Sequence, residues 1–118
     1  ACPLLVPLVE EGWEADAVTR QVLQRYLAAP LAFEADTLIL GCTHYPVLKS
    51  VIRKLVPADV CLIDSAEVMA QQITTDLKSG RIPASKSGSS ALQIFATDAG
   101  EGFHEVGTRI LRPLQVDH

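Results

Sequence analysis

The fold of this chain is decided by the stretch Thr37-Leu38-Ile39-Leu40-Gly41-Cys42-Thr43-His44-Tyr45-Pro46. Its first five residues form an apolar run without polar alternation, which is typical of a strand buried on both faces. Pro46 lies where a first helical position would be, since the missing N–H of proline costs nothing there. A helical stripe of apolar residues follows, at Leu48, Val51, Ile52, Leu55 and Val56, with Lys49, Arg53 and Lys54 facing solvent and Pro57 ending the helix. The stretch therefore predicts a strand, a short loop that contains Cys42, and a helix.

A second strand and helix follow the first pair. Residues 60–63, Val-Cys-Leu-Ile, again have the composition of a buried strand. Asp64 and Glu67 have capping-box spacing, and the next helix has an apolar face at Met69, Ala70, Ile73 and Leu77 and a C-cap at Gly80. Two successive strand–helix units predict an α/β fold with a mainly parallel sheet and flanking crossover helices.

The flanking segments have simpler patterns. Residues 3–9 are apolar but contain two prolines, which predicts a strand end or an extended loop. A helix is expected over 14–28, ended by Pro30. Towards the end of the chain, composition predicts a flexible connection over 80–91 and a short strand over 92–97. A helix near 101–112 is expected to bury Phe103, Val106 and Ile110.

Composition limits the function classes. The chain has 118 residues, of which 48% are hydrophobic and 20% charged, as in an ordinary globular protein. A net charge of -4 argues against a nucleic-acid-binding surface, and no apolar run is long enough to span a membrane. Three cysteines without a signal-peptide pattern favour free thiols in a reducing cytoplasm, and none has zinc-site spacing. Because residue 1 is alanine, we expect an engineered or processing boundary rather than a native start.

The loop after the first strand contains the residues best suited to chemistry. Ligands of open α/β sheets bind beyond the carboxyl ends of the strands, where Cys42 is expected. The following helix start offers unpaired N–H groups and a partial positive charge, which favour a thiolate and, with the Thr43 hydroxyl, a bound carboxylate. His44 can transfer a proton near neutral pH. A cysteine at a strand end is also compatible with a small buried hydrophobe, so residue chemistry alone leaves both interpretations open.

Three segments resemble the C-terminal half of glutamate racemases. The nine-residue string Leu38–Pro46 closely resembles the second-cysteine signature of that family. Residues 2–12, CPLLVPLVEEG, are similar to the stretch before the signature, and residues 62–67, LIDSAE, to the stretch after it, with the right spacing. The tail, including residues 95–98 and Phe103, is similar only weakly.

The resemblance implies a reaction and a role for each residue. Glutamate racemases interconvert L- and D-glutamate without pyridoxal phosphate or metal, for bacterial cell-wall synthesis, and are commonly dimeric. Carried over, Cys42 is the acid/base on one face of the α-carbon, Thr43 binds the α-carboxylate or amino group, His44 assists Cys42, and Glu10 assists proton transfer. On residue chemistry alone, Glu10 also fits a solvated charge. Tyr45 is read as a packing aromatic, Cys2 as structural, Cys61 as inert core and Asp64 as a helix cap.

The family's N-terminal half has no counterpart in this sequence, neither its Asp-Ser-Gly-type loop nor its Ala-Cys-Asn-Thr segment. By resemblance, residues 1–65 form part of the second racemase domain, 66–79 a crossover helix, 80–91 a flexible linker, and 92–118 a tail that completes the first domain. The chain alone is therefore expected to be inactive. Three alternatives stay open: an aspartate or hydantoin racemase relative, a non-catalytic module with a racemase-like fold, and a purely structural domain.

Overall fold

Two short parallel strands organise the fold. We describe residues 1–83, 95, 97 and 100–111 of a computed structural model. Strands β1 (Thr37–Leu40) and β2 (Cys61–Asp64) pair in parallel, with Thr37 opposite Cys61 and Leu40 opposite Asp64. The helices are α1 (Leu5–Glu10), α2 (Ala17–Ala32), α3 (Lys49–Leu55), α4 (Ser65–Lys78) and α5 (Glu101–Leu111), and a 3₁₀ helix at Tyr45–Leu48 leads into α3. The predicted α/β class with a parallel sheet and flanking helices is confirmed. The prediction that both strands are buried on both faces is wrong, because the described residues leave one face of the pair uncovered, with Ile39 and Ile63 70% and 37% exposed. The predicted linker and strand over 84–94, and residues 112–118, lie outside the described residues.

The core lies between the sheet and the helices on one side of it. Its buried members come from α1, α2, β1, the 3₁₀ helix and α3, and from the turn before β2: Leu5, Val9, Leu23, Leu40, Leu48, Ile52, Val56 and Val60. Three of these belong to the apolar stripe that the sequence predicted after Pro46, and Val51 and Leu55 pack against them while partly exposed. The core thus fixes the end of β1 relative to α1 and α3.

Two cations of α3 are less exposed than predicted. Arg53 donates hydrogen bonds to the carbonyl oxygens of Val60 at 2.6 Å and of Pro57, so it closes the turn between α3 and β2. Lys49 lies 3.5 Å from the Asp64 carboxylate and forms an ion pair with Glu67. The Glu67 partner raises the pKa of Lys49 above its ordinary value, with burial acting in the opposite direction. The prediction that these two side chains face solvent is therefore wrong, because the turn carbonyls and the α4 carboxylates need donors.

Both proline-based predictions outside the sheet are wrong. Residues 5–10 form α1 rather than a strand end or an extended loop. Pro7 is tolerated there because it lies in the first turn, where the N–H groups have no intrahelical partner. Pro30 lies inside α2, and the helix continues because Leu27 and Leu31 pack against the core and the following turn bonds past the proline, from Phe33 N–H to the carbonyl of Ala29 at 3.1 Å.

The second strand–helix unit agrees in part with its prediction. Asp64 caps α4, since its Oδ1 accepts from the N–H groups of Ala66 at 2.9 Å and Glu67 at 3.4 Å. Glu67 bonds to Lys49, so the reciprocal half of the capping box is not used. Cys61 begins β2 and is exposed, which corrects its interpretation as buried core.

Two helices leave apolar faces uncovered. Val68, Met69 and Ile73 of α4 are 54%, 60% and 44% exposed, and Phe103 and Ile110 of α5 are 44% and 49% exposed. Burial of Phe103 and Ile110, which the sequence predicted, is therefore not found. Among the helices described, none has the length and apolarity required to cross a membrane.

Candidate active site

Cys42 lies at the carboxyl end of β1, as its position in the sequence predicted. Gly41 separates it from the strand, and a turn bond from Gly41 N–H to the Ile39 carbonyl at 3.0 Å bends the chain there. The Cys42 carbonyl then accepts from Tyr45 N–H at 3.1 Å, which begins the 3₁₀ helix. Cys42 is a free thiol of intermediate exposure. Its side chain is therefore neither enclosed in the core nor fully in solvent.

Thr43, His44 and Glu10 form one polar network beside Cys42. The Thr43 hydroxyl lies 3.2 Å from His44 Nδ1, and Glu10 Oε1 lies 3.4 Å from His44 Nε2. A neutral imidazole protonated at Nε2 donates to Glu10 and accepts from Thr43, so both ring nitrogens have a partner. The His44 side chain is 24% exposed and that of Glu10 is 55% exposed. The loop after β1 and the end of α1 thus come together through the residues that the sequence singled out.

A cavity of about 720 Å³ opens next to this network. One wall consists of Glu10, Glu11, Thr43 and His44. The other wall is α5, which contributes Gly102, Phe103, Glu105, Val106, Gly107, Arg109 and Ile110. Cys42 is not among the residues that line the cavity, whereas its sequence neighbours Thr43 and His44 are.

The loop offers backbone donors. In the part of the chain described, the N–H groups of Thr43 and His44 donate no backbone hydrogen bond. The 3₁₀ helix has His44 as its N-cap residue, without a side-chain cap. Unpaired N–H groups at such a position favour an anion. A carboxylate at this end of the loop would therefore meet donors rather than acceptors.

Tyr45 contacts two thiols. It packs against the core while partly exposed, as does Cys2. Burial raises the pKa of the Tyr45 hydroxyl above its ordinary value, and the neighbouring Cys2 and Cys42 thiols raise it further, that of Cys2 also through a hydrogen bond. From the sequence, Tyr45 was predicted to be a packing aromatic and Cys2 to be structural. The approach of Cys2 to Tyr45 could be found only from the coordinates, because the two residues are far apart in the chain.

Arg109 and Glu14 are site neighbours that sequence reasoning missed. Arg109 Nη2 donates to the carbonyl oxygens of Val9 at 3.0 Å and Glu10 at 2.8 Å, and Nη1 lies 3.9 Å from Glu14 Oε2. Glu14 Oε2 is buried and accepts no hydrogen bond from the residues described. The one sequence signal was an arginine in the last turn of an amphipathic helix. Among the residues that the structure describes, no cluster of three or more His, Cys, Asp or Glu could hold a metal ion.

Comparisons with known proteins identify one group of relatives. No family model matches the sequence. The chain is 42% identical over 111 residues to the glutamate racemase of Syntrophus aciditrophicus, which covers 94% of this chain and 41% of the relative. The crystal structure of a glutamate racemase isoform from Bacillus anthracis matches with a TM-score of 0.80 and 38% identity, over 99% of this chain and 43% of that one. The Francisella tularensis glutamate racemase, solved in complex with D-glutamate, matches with a TM-score of 0.78 and 31% identity, over 98% and 43%. The chain therefore spans about two fifths of the length of the curated relatives that it matches.

Proposed function

We propose that this chain, which is homologous to part of the glutamate racemases, supplies one half of the active site of such an enzyme. The reaction is the interconversion of L- and D-glutamate by proton transfer at the α-carbon. The observation that carries the proposal is the Thr43–His44–Glu10 network beside Cys42 at the end of β1. A structural cysteine would need neither a histidine beside it nor a carboxylate on that histidine.

Cys42 is the acid/base of this half. As a thiolate it removes the α-proton of L-glutamate, and a thiol on the opposite face, supplied from outside this chain, protonates the planar carbanion to give the D-enantiomer. Inversion requires an acid on the face opposite the base, since return of the proton to the same face regenerates the starting enantiomer. In the reverse direction Cys42 is the acid. Neither step uses a metal or an organic cofactor in this proposal.

Three side chains support Cys42. His44 moves a proton to or from the region of the Cys42 thiol, and the Glu10 carboxylate stabilises its imidazolium form at 3.4 Å. Thr43 binds the α-carboxylate or amino group of glutamate. Because Glu10 and Glu11 make this side of the cavity acidic, we assign the substrate ammonium to that side and its α-carboxylate to the N–H groups of Thr43 and His44.

The remaining part of the enzyme covers the exposed apolar faces of α4 and α5. The support is that these faces expose several large side chains and that the chain spans only about two fifths of its relatives. Without that part, the tail that contains α5 packs on this chain in another way than in the complete enzyme, is displaced from it, or pairs with another copy of the chain. A strictly monomeric chain in analytical ultracentrifugation would contradict association through the tail.

The setting of the complete protein follows from the same homology. We propose that it is cytoplasmic, that it supplies D-glutamate for peptidoglycan, and that it forms a homodimer. The Francisella relative was solved with D-glutamate, which supports a small amino acid as the ligand here. An aspartate or hydantoin racemase is distinguished by assaying the complete protein on glutamate and aspartate side by side.

The decisive experiment replaces Cys42 in the complete protein that carries this chain. Cys42→Ala should abolish racemisation, measured by circular dichroism of glutamate, and loss of the α-proton of L-glutamate to D₂O, measured by NMR. Cys61→Ala is the matched control, because Cys61 is also a free thiol but lies at the other end of the paired strands. Full activity of a folded Cys42→Ala variant would refute the proposal. The present chain alone should show no racemisation.

A further inference from the structure

We propose that Arg109 is a positioning residue for the Glu10–His44 pair, and that it acts by holding the C-terminal end of α1 from helix α5; this inference rests on the proposed function. Arg109 is separated from Glu10 by 99 residues in the sequence. Its Nη2 donates to the carbonyl oxygens of Val9 at 3.0 Å and Glu10 at 2.8 Å. Glu10 is the last residue of α1, so its carbonyl has no partner within the helix. The guanidinium thus holds the backbone of the residue whose carboxylate contacts His44.

The guanidinium is itself anchored on its other side. Arg109 Nη1 lies 3.9 Å from Glu14 Oε2, a buried oxygen that accepts no hydrogen bond from the described residues. Glu14 belongs to the segment between α1 and α2, and the Thr19 hydroxyl fixes that segment by donating to the Trp13 carbonyl at 2.6 Å. The Glu14 side chain is 29% exposed, but its buried Oε2 benefits from a nearby cation, because burial of an unpaired charged atom is costly. Arg109 therefore lies between the Glu14 carboxylate and the end of α1.

The geometry at the end of α1 controls the position of the Glu10 side chain. The Glu10 side chain is 55% exposed and makes a single contact to His44 at 3.4 Å, so packing does not fix it. The apolar contacts of α1 with the core are made by Leu5 and Val9, on the side of the helix away from solvent. The buried Val9 and the Gly12 N–H bond to its carbonyl hold the turn as far as Val9, so the orientation of Glu10 depends on what binds its own carbonyl. The Arg109 bond to the Glu10 carbonyl is that constraint.

Glycine at position 12 makes room for the guanidinium. Gly12 has φ +75° and ends α1 in a Schellman motif, with Trp13 N–H bonded to the Leu8 carbonyl at 2.9 Å and Gly12 N–H to the Val9 carbonyl at 3.0 Å. A Cβ at this position would overlap Arg109 Nη1. A side chain at position 12 would therefore displace Arg109 without touching Glu10 or His44.

The first test is a double-mutant cycle in the complete protein. Arg109→Ala should lower kcat about fivefold and change KM less than about twofold, because orientation of the proton-transfer groups is lost while substrate binding is kept. In a Glu10→Gln background, Arg109→Ala should lower kcat no further, since its effect passes through Glu10. Arg109→Lys should recover part of the loss, because an ammonium still donates to one carbonyl. Arg81→Ala, which removes an exposed ion pair to Asp76, is the control for loss of one arginine and should leave kcat unchanged.

A pair of glycine variants tests the same inference without removing the arginine. Gly12 and Gly80 both end a helix in a Schellman motif with nearly equal φ, +75° and +73°, so alanine strains the backbone equally at the two positions. A Cβ at Gly80 meets nothing within 4 Å. Gly12→Ala should therefore lower kcat about fivefold, and Gly80→Ala should leave it unchanged. If Arg109→Ala does not yield folded protein, the comparison of Gly12→Ala with Gly80→Ala tests the inference in its place.

The outcomes separate this inference from the proposed function. If Arg109→Ala leaves kcat unchanged, or lowers it by the same factor with and without Glu10, the positioning role is refuted. Equal kcat values for Gly12→Ala and Gly80→Ala refute it as well. If Cys42→Ala is inactive, those results refute only the role of Arg109 and leave the proposed function intact. An active Cys42→Ala variant instead overturns the proposed function itself.

Discussion

Neutralising Glu10 should slow the reaction while leaving the fold almost as stable. The Glu10 carboxylate is more than half exposed and lies 3.4 Å from His44 Nε2. Two unit charges at that distance interact by about 1.2 kcal/mol at the dielectric constant of water. The dielectric constant of water applies because the pair is solvated. An interaction energy of about 1.2 kcal/mol corresponds to a change of roughly eightfold in a rate that depends on the imidazolium. We therefore expect Glu10→Gln to lower kcat about tenfold.

The stability effect of the same substitution should be small. Exposed ion pairs contribute about 0–1 kcal/mol, and a glutamine can still accept a hydrogen bond from Nε2–H, so the free energy of unfolding should fall by less than about 0.5 kcal/mol. Urea unfolding of the variant and the wild type measures this directly. Racemisation followed by circular dichroism of glutamate measures kcat in the complete protein.

Glu67→Gln is the matched control for this prediction. Its side chain is 60% exposed, close to the 55% of Glu10, and it also pairs with a cation, Lys49, but it lies on α4 away from His44. It should lose a similar small amount of stability and none of the activity. A tenfold loss in both variants would mean that overall charge, rather than the His44 contact, matters. A folded Glu10→Gln variant with unchanged kcat would refute the role of the pair.

Two further predictions concern the fold that holds the site, and both are measured by urea unfolding of the chain. Asp64→Ala should lower the free energy of unfolding by about 2 kcal/mol, from loss of the α4 cap and of the Lys49 pair; Asp16→Ala, which removes a cap bond to Val18 N–H at 2.7 Å, should lower it by only about 1 kcal/mol. Equal losses would contradict the ion-pair contribution. The Tyr45 pKa is raised in the folded state. The stability that the protonated Tyr45 hydroxyl contributes to the fold is therefore complete below about pH 10 and is lost as the pH rises through the folded pKa. Tyr45→Phe should make the alkaline decline of stability shallower, and an unchanged decline would contradict the burial of this hydroxyl.

The sequence predicted the parts of the fold that depend on local patterns. The unalternating apolar run at Thr37–Leu40 predicted a real strand but not its burial, since Leu40 is buried while Ile39 is 70% exposed. The helical stripe from Leu48 to Val56 predicted both a helix and its buried face, because its spacing matches the buried Leu48, Ile52 and Val56. The prolines misled because their cost depends on the position within a helix: Pro7 lies in a first turn, and Pro30 is outweighed by packing of the apolar stripe around it. Cys61 was misplaced because it shares with Ile63 the exposed face of β2, and an unalternating apolar run does not reveal which face of a strand is left uncovered.

The candidate site was predictable only where it was contiguous in sequence or carried by a resemblance. Cys42, Thr43 and His44 follow one another after β1, and the rule about carboxyl ends of strands marked them as candidates, while the resemblance decided between chemistry and packing. Glu10 came from the resemblance, since an acidic residue beside Glu11 has no distinctive local pattern. Arg109 was missed because its contacts are with backbone carbonyls about 100 residues earlier, and any residue offers a carbonyl. A hydrogen bond to the main chain leaves no signature in the sequence of its acceptor.

Under the proposed function, the site divides into groups that perform the chemistry and groups that hold them, and the two come from different parts of the chain. The reactive groups lie on the loop that the sheet presents, where the core fixes the backbone through Leu40 and Leu48. Glu10 is the last residue of α1, a helix of six residues that the core holds through Leu5 and Val9, and a helix this short has little stability of its own. The carbonyl of Glu10 is bonded by an arginine from α5, a helix whose Phe103 and Ile110 side chains are 44% and 49% exposed. If whatever covers that face shifts α5, the shift reaches Glu10 through Arg109 before it reaches Cys42. The proton-transfer partner of His44, rather than the cysteine itself, is thus the point at which the position of α5 would alter the rate.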